Sequence, residues 1–514
     1  MSILNYVPEG YKLREKQKQI LPIIEKAYFD HDVIVLECDV GAGKSLIAKT
    51  VANWLQAQKT STAIVTPRVD LMDQYTETFP STPVLKGATR YHCKTMETSC
   101  GSLLQRCENC VYESAKYKAD TSYQTIYNIQ TYNFSRLRAY KTFGVKYKER
   151  GPAFKDVVII DEAHLASRVL FDSYTIKLND RDNRSFPKKY KVIGDVVKWL
   201  ESEVKVLNNT IESIKRDTPP ELMDDEELRY LMNKKSKYEN VIEGNKTSPK
   251  GFNFHYSTKK EGKRTVKFIQ ITPTTLELVK PKLWSRHTQC IILMSATFKP
   301  MDLKHLGLAN RKVKWIDGGA TIPARNRPID ASTSVNMSLK YQEENIDDLV
   351  RIINSKAEKH KGKGLIHCTY GIADLLKNKL KGSRYMFHTP ETREAALEEF
   401  RSSKDKILIA CGMSEGLDLY GPEYEWQAIV KIQYPNLGDP LYRYWANNDP
   451  DRYNWMTSKW LQQACGRICR GDDDYGVTYI LDSSFGNIAK GKRGFYNRAK
   501  HLLSGHFKER IKWT

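Results

Sequence analysis

Two hydrophobic patterns alternate along the chain. Short unbroken apolar runs are bounded by polar or glycine-containing segments, and between them lie stretches where apolar residues recur every three or four positions. An unbroken run reads as a strand buried on both faces. The recurring pattern reads as an amphipathic helix, and their alternation predicts parallel α/β sheets. The runs fall into two sets. The first is Val33–Glu37, Thr62–Thr66, Val157–Ile160 and Cys290–Met294; the second is Gly364–Cys368, Lys406–Cys411, Ala428–Gln433 and Val477–Leu481. Two sets predict two α/β domains with a boundary near Gly318–Pro328, in keeping with a chain of 514 residues, too long for one core.

Two segments interrupt the first set. Gly87–Asp120 is polar and carries Cys93, Cys100, Cys107 and Cys110. Leu170–Lys280 differs in character. Ile193, Val197, Leu200, Val204, Leu207, Ile211 and Ile214 step alternately by four and three, which predicts a helix with a narrow apolar seam, stopped by Thr218-Pro219-Pro220. A charged second helix with Leu228, Leu231, Tyr238 and Ile242 on one face follows, completing an antiparallel helical hairpin whose seam packs on itself. The alternating runs on either side of Lys259–Arg264 predict a β-hairpin.

The strand ends carry the chemistry. Val33–Glu37 runs through Cys38 into Asp39-Val40-Gly41-Ala42-Gly43-Lys44-Ser45, where a helix starts. Glycines let backbone N–H groups approach phosphate oxygens, and the helix N-terminus adds its positive dipole end. Lys44 would then reach the β- and γ-phosphates of ATP and Ser45 would ligate Mg²⁺, with Gly41 and Gly43 shaping the loop. Cys38 stands where the usual pattern has its first glycine. The run Val157–Ile160 ends in Asp161-Glu162-Ala163-His164. At a strand's carboxyl end beside a phosphate loop, Asp161 would hold Mg²⁺ and Glu162 would orient and deprotonate the attacking water. Gln463-x-x-Gly466-Arg467-x-x-Arg470 reads as helical, placing both arginines on one face, which by itself suits equally the stabilising of charge on the transferring phosphoryl group and a solvated or DNA-facing basic helix.

Lys and Arg number 82 against 61 Asp and Glu, a net charge of +21, which suits either a polyanionic partner or a solubilising surface. Among the residues, no apolar run is long enough to span a membrane, and Met1–Gln19 has no signal-like core. Ten cysteines, four clustered and the rest scattered, fit a reducing compartment with one metal site rather than a secreted disulfide scaffold. By spacing alone, the four clustered thiols suit a 4Fe–4S cluster or Zn²⁺ about equally.

Together these motifs resemble superfamily 2 helicases. Ser295-Ala296-Thr297 is similar to their S-A-T element, which with His164 links hydrolysis to motion. Thr66-Pro67-Arg68 is similar to the strand-end element that touches the nucleic acid backbone, and Ser414-Glu415-Gly416-Leu417-Asp418 to the second domain's lining of the ATP cleft. Arg14-x-x-Gln17 is similar to the adenine-reading Q motif, with Gln19 as a rival. The placement of the cysteine insert between Thr66-Pro67-Arg68 and Asp161, the long insert before S-A-T, and Gly466-Arg467…Asp474-Tyr475-Gly476…Leu481-Asp482 resemble the XPD/DinG family of iron–sulfur DNA helicases.

The resemblance implies two RecA-like domains. Residues 1–86, 123–169 and 281–320 would form the first and 321–514 the second, with a cluster insert at 87–122 and a mainly helical arch-like insert at 170–280. It implies 5′→3′ movement on single-stranded DNA, unwinding of forked DNA with the cysteine domain as wedge, and a 4Fe–4S cluster on Cys93, Cys100, Cys107 and Cys110 in preference to zinc. It makes Gln17, Gly416 and Asp418 ATP contacts, Gln463, Arg467 and Arg470 catalytic, and Thr66, Arg68, Thr369 and Tyr370 DNA contacts. A cytoplasmic, nucleoid-associated or nuclear location is expected, with the arch-like insert as the surface for protein partners. Two other readings stay open: an RNA helicase of the same superfamily, and a nucleic-acid-binding ATPase switch or scaffold that does not unwind.

Overall fold

The computed structural model describes residues 1–514 except 40, 96, 102–106, 108, 134–154, 182–185, 187–189, 219–224, 250, 262–263, 277–287, 321, 414–416, 418, 420, 470–473, 487–493 and 514. The chain divides into two units, Met1–Glu37 with Gly43–Gly318, and Cys38–Ala42 with Gly319–Thr514.

The first unit's strands are β1 (Val33–Cys38), β2 (Thr62–Thr66), β3 (Val84–Leu85), β4 (Gln124–Asn128), β5 (Val157–Ile160), β6 (Ile176–Asn179), β7 (Phe252–Glu261), β8 (Arg264–Pro273), β9 (Cys290–Ser295) and β10 (Val313–Gly319). Seven of them form one sheet in the order β10-β1-β9-β5-β2-β4-β3. The pairs β1–β9, β9–β5, β5–β2, β2–β4 and β4–β3 are parallel. β2, β5 and β9 are buried at every position, as a sheet covered on both faces requires. The register sets Glu37 beside Ser295, Ile160 beside Leu293 and Val65 beside Ile160. The loops after β1, β2, β5 and β9 therefore leave from one edge, where an open α/β sheet binds its ligand.

β4 was invisible as an apolar run. Its sequence is Gln-Thr-Ile-Tyr-Asn, yet every residue is buried. Its polar side chains are tolerated because they are hydrogen-bonded: Gln124 accepts from Lys49, and Thr125 donates to the Ala119 carbonyl.

The segment from β6 to β8 holds a three-stranded antiparallel sheet, order β6-β8-β7, and two helices, Ile193–Asp217 and Asp225–Thr247. Val197, Leu200, Leu207 and Ile211 of the seam pack with Tyr238 and Ile242 of the second helix and with Ile269 and Ile271 of β8. The seam is spent inside this subdomain, which is mainly helical, with the β-hairpin expected around Lys259–Arg264 extended by β6 into a small sheet.

The second unit contains β11 (Ile329–Asp330), β12 (Lys363–Cys368), β13 (Tyr385–Met386), β14 (Ile407–Cys411), β15 (Tyr424–Ile429), β16 (Val477–Ile480) and β17 (Ile511–Lys512), ordered β13-β14-β12-β15-β16-β11-β17 with every pair parallel. β15 lies four residues earlier than the expected Ala428–Gln433. Tyr424, Trp426 and Ala428 enter the core, and the polar Gln427 between them is satisfied by donating to Thr478. That glutamine, together with Glu425, hid the strand's true start. Among the described residues, no helix is long and apolar enough to cross a membrane.

Candidate functional site

The phosphate loop leaves β1 and enters the helix Lys44–Ala57. Gly41 (φ 85°) and Gly43 (φ 73°) both take the left-handed conformation, and Gly43 caps the helix. Cys38 is buried as the last residue of β1, so the loop does its turning without the missing first glycine. Gln17, on the helix Glu15–Asp30, is buried and donates from Nε2 to the Gly43 carbonyl (3.2 Å), while its Oε1 accepts from the Arg14 amide (2.9 Å). Gln19 is exposed on the same helix.

A Cβ at position 43 would overlap Gln17 Nε2. Gly43→Ala therefore combines that clash with an unfavourable backbone conformation, which alone costs about 1–2 kcal/mol. ATP affinity is expected to fall by at least about tenfold in fluorescent-nucleotide titration.

Asp161 closes β5 and is buried. Its Oδ1 accepts from the Glu162 amide (2.9 Å), and its Oδ2 accepts from the phenol of Tyr75 (2.9 Å), which Ser45 also hydrogen-bonds. Burial pushes the Asp161 carboxyl up, the charge of Glu162 adds to this, and Lys44 and the Tyr75 hydrogen bond pull it back. Tyr75 was missed from sequence. It lies on the buried face of the helix Val69–Thr78 beside Met72, which reads as plain core.

Glu162 sits at φ 48°, a left-handed conformation that is costly for a non-glycine residue. The turn aims its carboxylate two ways: Oε1 lies 3.4 Å from Lys44 Nζ and Oε2 3.3 Å from His164 Nδ1. His164 Nδ1 lies 2.8 Å from Ser295 Oγ. The Ser295 hydroxyl spends its proton on the Thr297 carbonyl (3.0 Å) and accepts from the Thr297 amide (3.1 Å). Nδ1 must therefore carry the proton shared with Ser295 and Glu162. A polar chain thus runs from Lys44 through Glu162 and His164 to Ser295 and Thr297.

Thr66 ends β2 fully buried, with its hydroxyl on the Arg68 carbonyl (2.9 Å). Arg68 is paired with Asp70, its Nε donating at 2.9 Å.

In the second unit, the helix expected to reach Arg470 stops at Ala464. The Cys465 amide caps it on the Leu461 carbonyl, Gly466 follows, and Cys469 at φ 63° turns the chain away. Gln463 lies in the last helical turn. Arg467 lies beyond it, buried, donating to the carbonyls of Gln463 (3.1 Å) and Leu417 (3.1 Å). A shared helical face for the two arginines is thus ruled out at Arg467. Arg470, Gly416 and Asp418 lie outside the described residues. Arg510, unmarked by any motif, donates to the carbonyls of Arg327 (2.7 Å) and Cys465 (2.8 Å), holding the turn before Arg467. Burial, then the charge of Arg327, lowers its pKa to about 10. Thr369 follows β12 as the cap of the helix Tyr370–Lys377, and Tyr370 is exposed.

In the cysteine insert, Cys93 and Cys107 approach to 3.4 Å between sulfurs, and Cys110 and Cys100 to 4.0 Å. Cys93, Cys100 and Cys110 are buried, and Cys107 is half-buried. The four soft thiols have the donor chemistry of an iron–sulfur or zinc centre. Cys110 also hydrogen-bonds Cys107, which links the two pairs; among the described residues, no group of three or more Cys, His, Asp or Glu is arranged to hold one ion. Arg229 of the helix Asp225–Thr247 donates to the Gly101 carbonyl and so ties the helical insert to the cysteine insert, a link no pattern in the sequence announces.

Residues 366–500 match the family described as Helicase C-terminal domain, and residues 10–191 match Type III restriction enzyme, res subunit. No curated protein matched the chain. Among solved structures, an XPD helicase superposes with a TM-score of 0.57 at 14% identity, covering 93% of this chain and 97% of that one. Xpd4 from S. tokodaii gives 0.55 at 14% identity, with 97% and 99% covered, and the apo form of XPD gives 0.52 at 15%, with 92% and 96% covered. Two RecA-like parallel sheets with a phosphate loop and both domain matches define an ATP-dependent nucleic-acid helicase, a class that uses Mg²⁺. Within that class the fold is similar to that of the XPD helicases on which the chain superposes.

Proposed function

We propose that this helicase is a DNA helicase moving 5′→3′ on single-stranded DNA, with the 87–122 insert as the element that parts the duplex. The polar chain from Lys44 to Thr297 is the observation that supports a working motor over a passive switch, because it joins Lys44, Glu162, His164 and the S-A-T element in one series of ion pairs and hydrogen bonds.

In this reading Gln17 fixes the adenine side of the loop and Lys44 neutralises the β- and γ-phosphates. Ser45 and Asp161 would hold Mg²⁺, joined already through Tyr75. Mg²⁺, when bound, supplies charge to the phosphate oxygens. Glu162 takes the proton of the attacking water. His164 passes the loss of that contact to Ser295 and Thr297. Arg467 and Arg470 stabilise the phosphoryl charge, with Gln463 placing Arg467, and Gly416 and Asp418 lie against the nucleotide. Arg68, Thr369 and Tyr370 touch DNA, with Thr66 fixing the Arg68 backbone. Contacts of this kind read backbone and stacking rather than base identity, so sequence preference is small.

Cys93, Cys100, Cys107 and Cys110 would hold a 4Fe–4S cluster, which when bound supplies a rigid cross-link to the insert. Cys107→Ser is expected to lose iron, by metal analysis and by loss of a broad absorption near about 400 nm, together with unwinding, while ATPase falls less. A colourless parent protein with one zinc ion overturns the cluster assignment.

The deciding experiment is strand displacement on matched forked DNA and RNA substrates with single 5′ or 3′ tails. ATP-dependent opening of the 5′-tailed DNA alone is expected. Preference for RNA points to the RNA-helicase reading, and opening from the 3′ tail overturns the polarity.

A further inference from the structure

A cavity of about 510 Å³ opens at the opposite edge of the first unit's sheet, where β3 and β4 begin. Its walls include Lys49, Asn53 and Gln56 from the helix Lys44–Ala57, Ser81 and Thr82 from the loop before β3, and Gln124 from β4; among the described residues, no acidic side chain lines it. Lys49 is 8% exposed. Its ammonium donates to Thr82 Oγ1 (2.7 Å) and Gln124 Oε1 (2.5 Å) and lies 5.9 Å from the centre of the Phe79 ring. These are neutral partners, and an ammonium has three hydrogens to donate. A buried cation normally has a counter-charge. Burial alone, with no carboxylate acting against it, lowers the Lys49 pKa to about 8.

Thr121 and Ser122 spend their hydroxyl protons on the Tyr117 and Lys118 carbonyls, but two other groups of the wall can donate. Gln124 Nε2 is taken up by Asn53 Oδ1 (2.9 Å) and Gln56 Oε1 (2.6 Å), which uses those carbonyl oxygens and leaves the Gln56 amide group to donate. Thr82 Oγ1 accepts from Lys49, so its own proton is available. A cavity with a buried ammonium, amide and hydroxyl donors and no acid matches an oxyanion.

We propose that this cavity is a second ligand site, separate from the phosphate loop, that takes the phosphate group of a small soluble molecule, either free phosphate or a phosphomonoester. The site shares a helix with the motor: Lys44 opens the helix Lys44–Ala57, and Lys49, Asn53 and Gln56 occupy its later turns. An anion seated on Lys49 therefore acts on the element that carries the catalytic lysine.

Calorimetric titration of the full chain tests this, with Mg·ADP saturating the phosphate loop and either inorganic phosphate or glycerol 3-phosphate as probe. One equivalent is expected to bind, with affinity weakened at least about tenfold in both Lys49→Met and Gln56→Glu. Gln56 is exposed at the rim, so Gln56→Glu folds even where Lys49→Met does not, and its carboxylate occupies the ammonium. Tighter binding of the inorganic ion identifies free phosphate as the ligand, and tighter binding of the ester a phosphomonoester; both support the site. No binding to the parent, unchanged binding in Gln56→Glu, or displacement of the probe by a single-stranded oligonucleotide overturns it.

Discussion

Lys44→Ala abolishes nucleic-acid-stimulated ATPase, lowering turnover by at least about a hundredfold, the loss typical when one preorganised charge contact to a reacting oxyanion is removed. The reason lies in where the ammonium sits. Lys44 is buried at the first turn of its helix, 3.4 Å from Glu162, and it also holds down the Asp161 carboxyl. In the proposed mechanism, removing it takes away the cation that meets the phosphates. It also leaves two neighbouring carboxylates without their counter-charge, so Asp161, already raised by burial, rises further and becomes a poorer ligand for Mg²⁺. The fold itself depends little on Lys44, because β1 and the helix Lys44–Ala57 are anchored by Val35, Leu36, Ile47, Val51 and Leu55. Thermal unfolding is therefore expected to shift little, and nucleic acid binding to survive. Circular dichroism, filter binding and phosphate release on one preparation separate these effects. Normal stimulated turnover in Lys44→Ala refutes the site.

The parts of this site that the sequence displays are those where chemistry and backbone geometry coincide. The phosphate loop needs glycines at left-handed positions, and Gly41 and Gly43 stand there. Asp161 follows an unbroken apolar run, so its place at a strand's carboxyl end was legible. The residues that stayed hidden act through side chains common in any core. Tyr75 occupies a buried helical position that apolar periodicity assigns to packing, and only the fold brings its phenol to Asp161. Arg510 looks like one more cation in a basic tail, until burial and two carbonyl partners give it a task. β4 and the start of β15 escaped because their polar residues are satisfied by side chains distant in sequence. The helix end at Ala464 is hidden because Gly466 and Cys469 lie within a motif-like run, although the chain leaves the helix before Gly466 and takes a left-handed turn at Cys469.

Glu162→Gln is expected to bind ATP as well as the parent and to stall before cleavage. The side chain keeps its shape, so the strained backbone at φ 48° is no worse than before, and the amide oxygen still accepts from His164. What disappears is a base. General-base contributions run at about 10²–10⁴ in rate, which sets the expected fall in single-turnover hydrolysis. Nucleotide affinity is not expected to fall, because Asp161 loses a repelling neighbour and Lys44 loses a competitor for its ammonium, leaving both freer to hold Mg·ATP. The change should also separate chemistry from coupling. His164 retains Ser295 and Ser295 retains Thr297, so the S-A-T element keeps its geometry while the water goes unactivated. Rapid filtration of bound radiolabelled ATP, beside quenched-flow measurement of cleavage, reads both quantities. Tight retention of uncleaved ATP assigns the proton transfer to Glu162; hydrolysis within about threefold of the parent would move the base elsewhere.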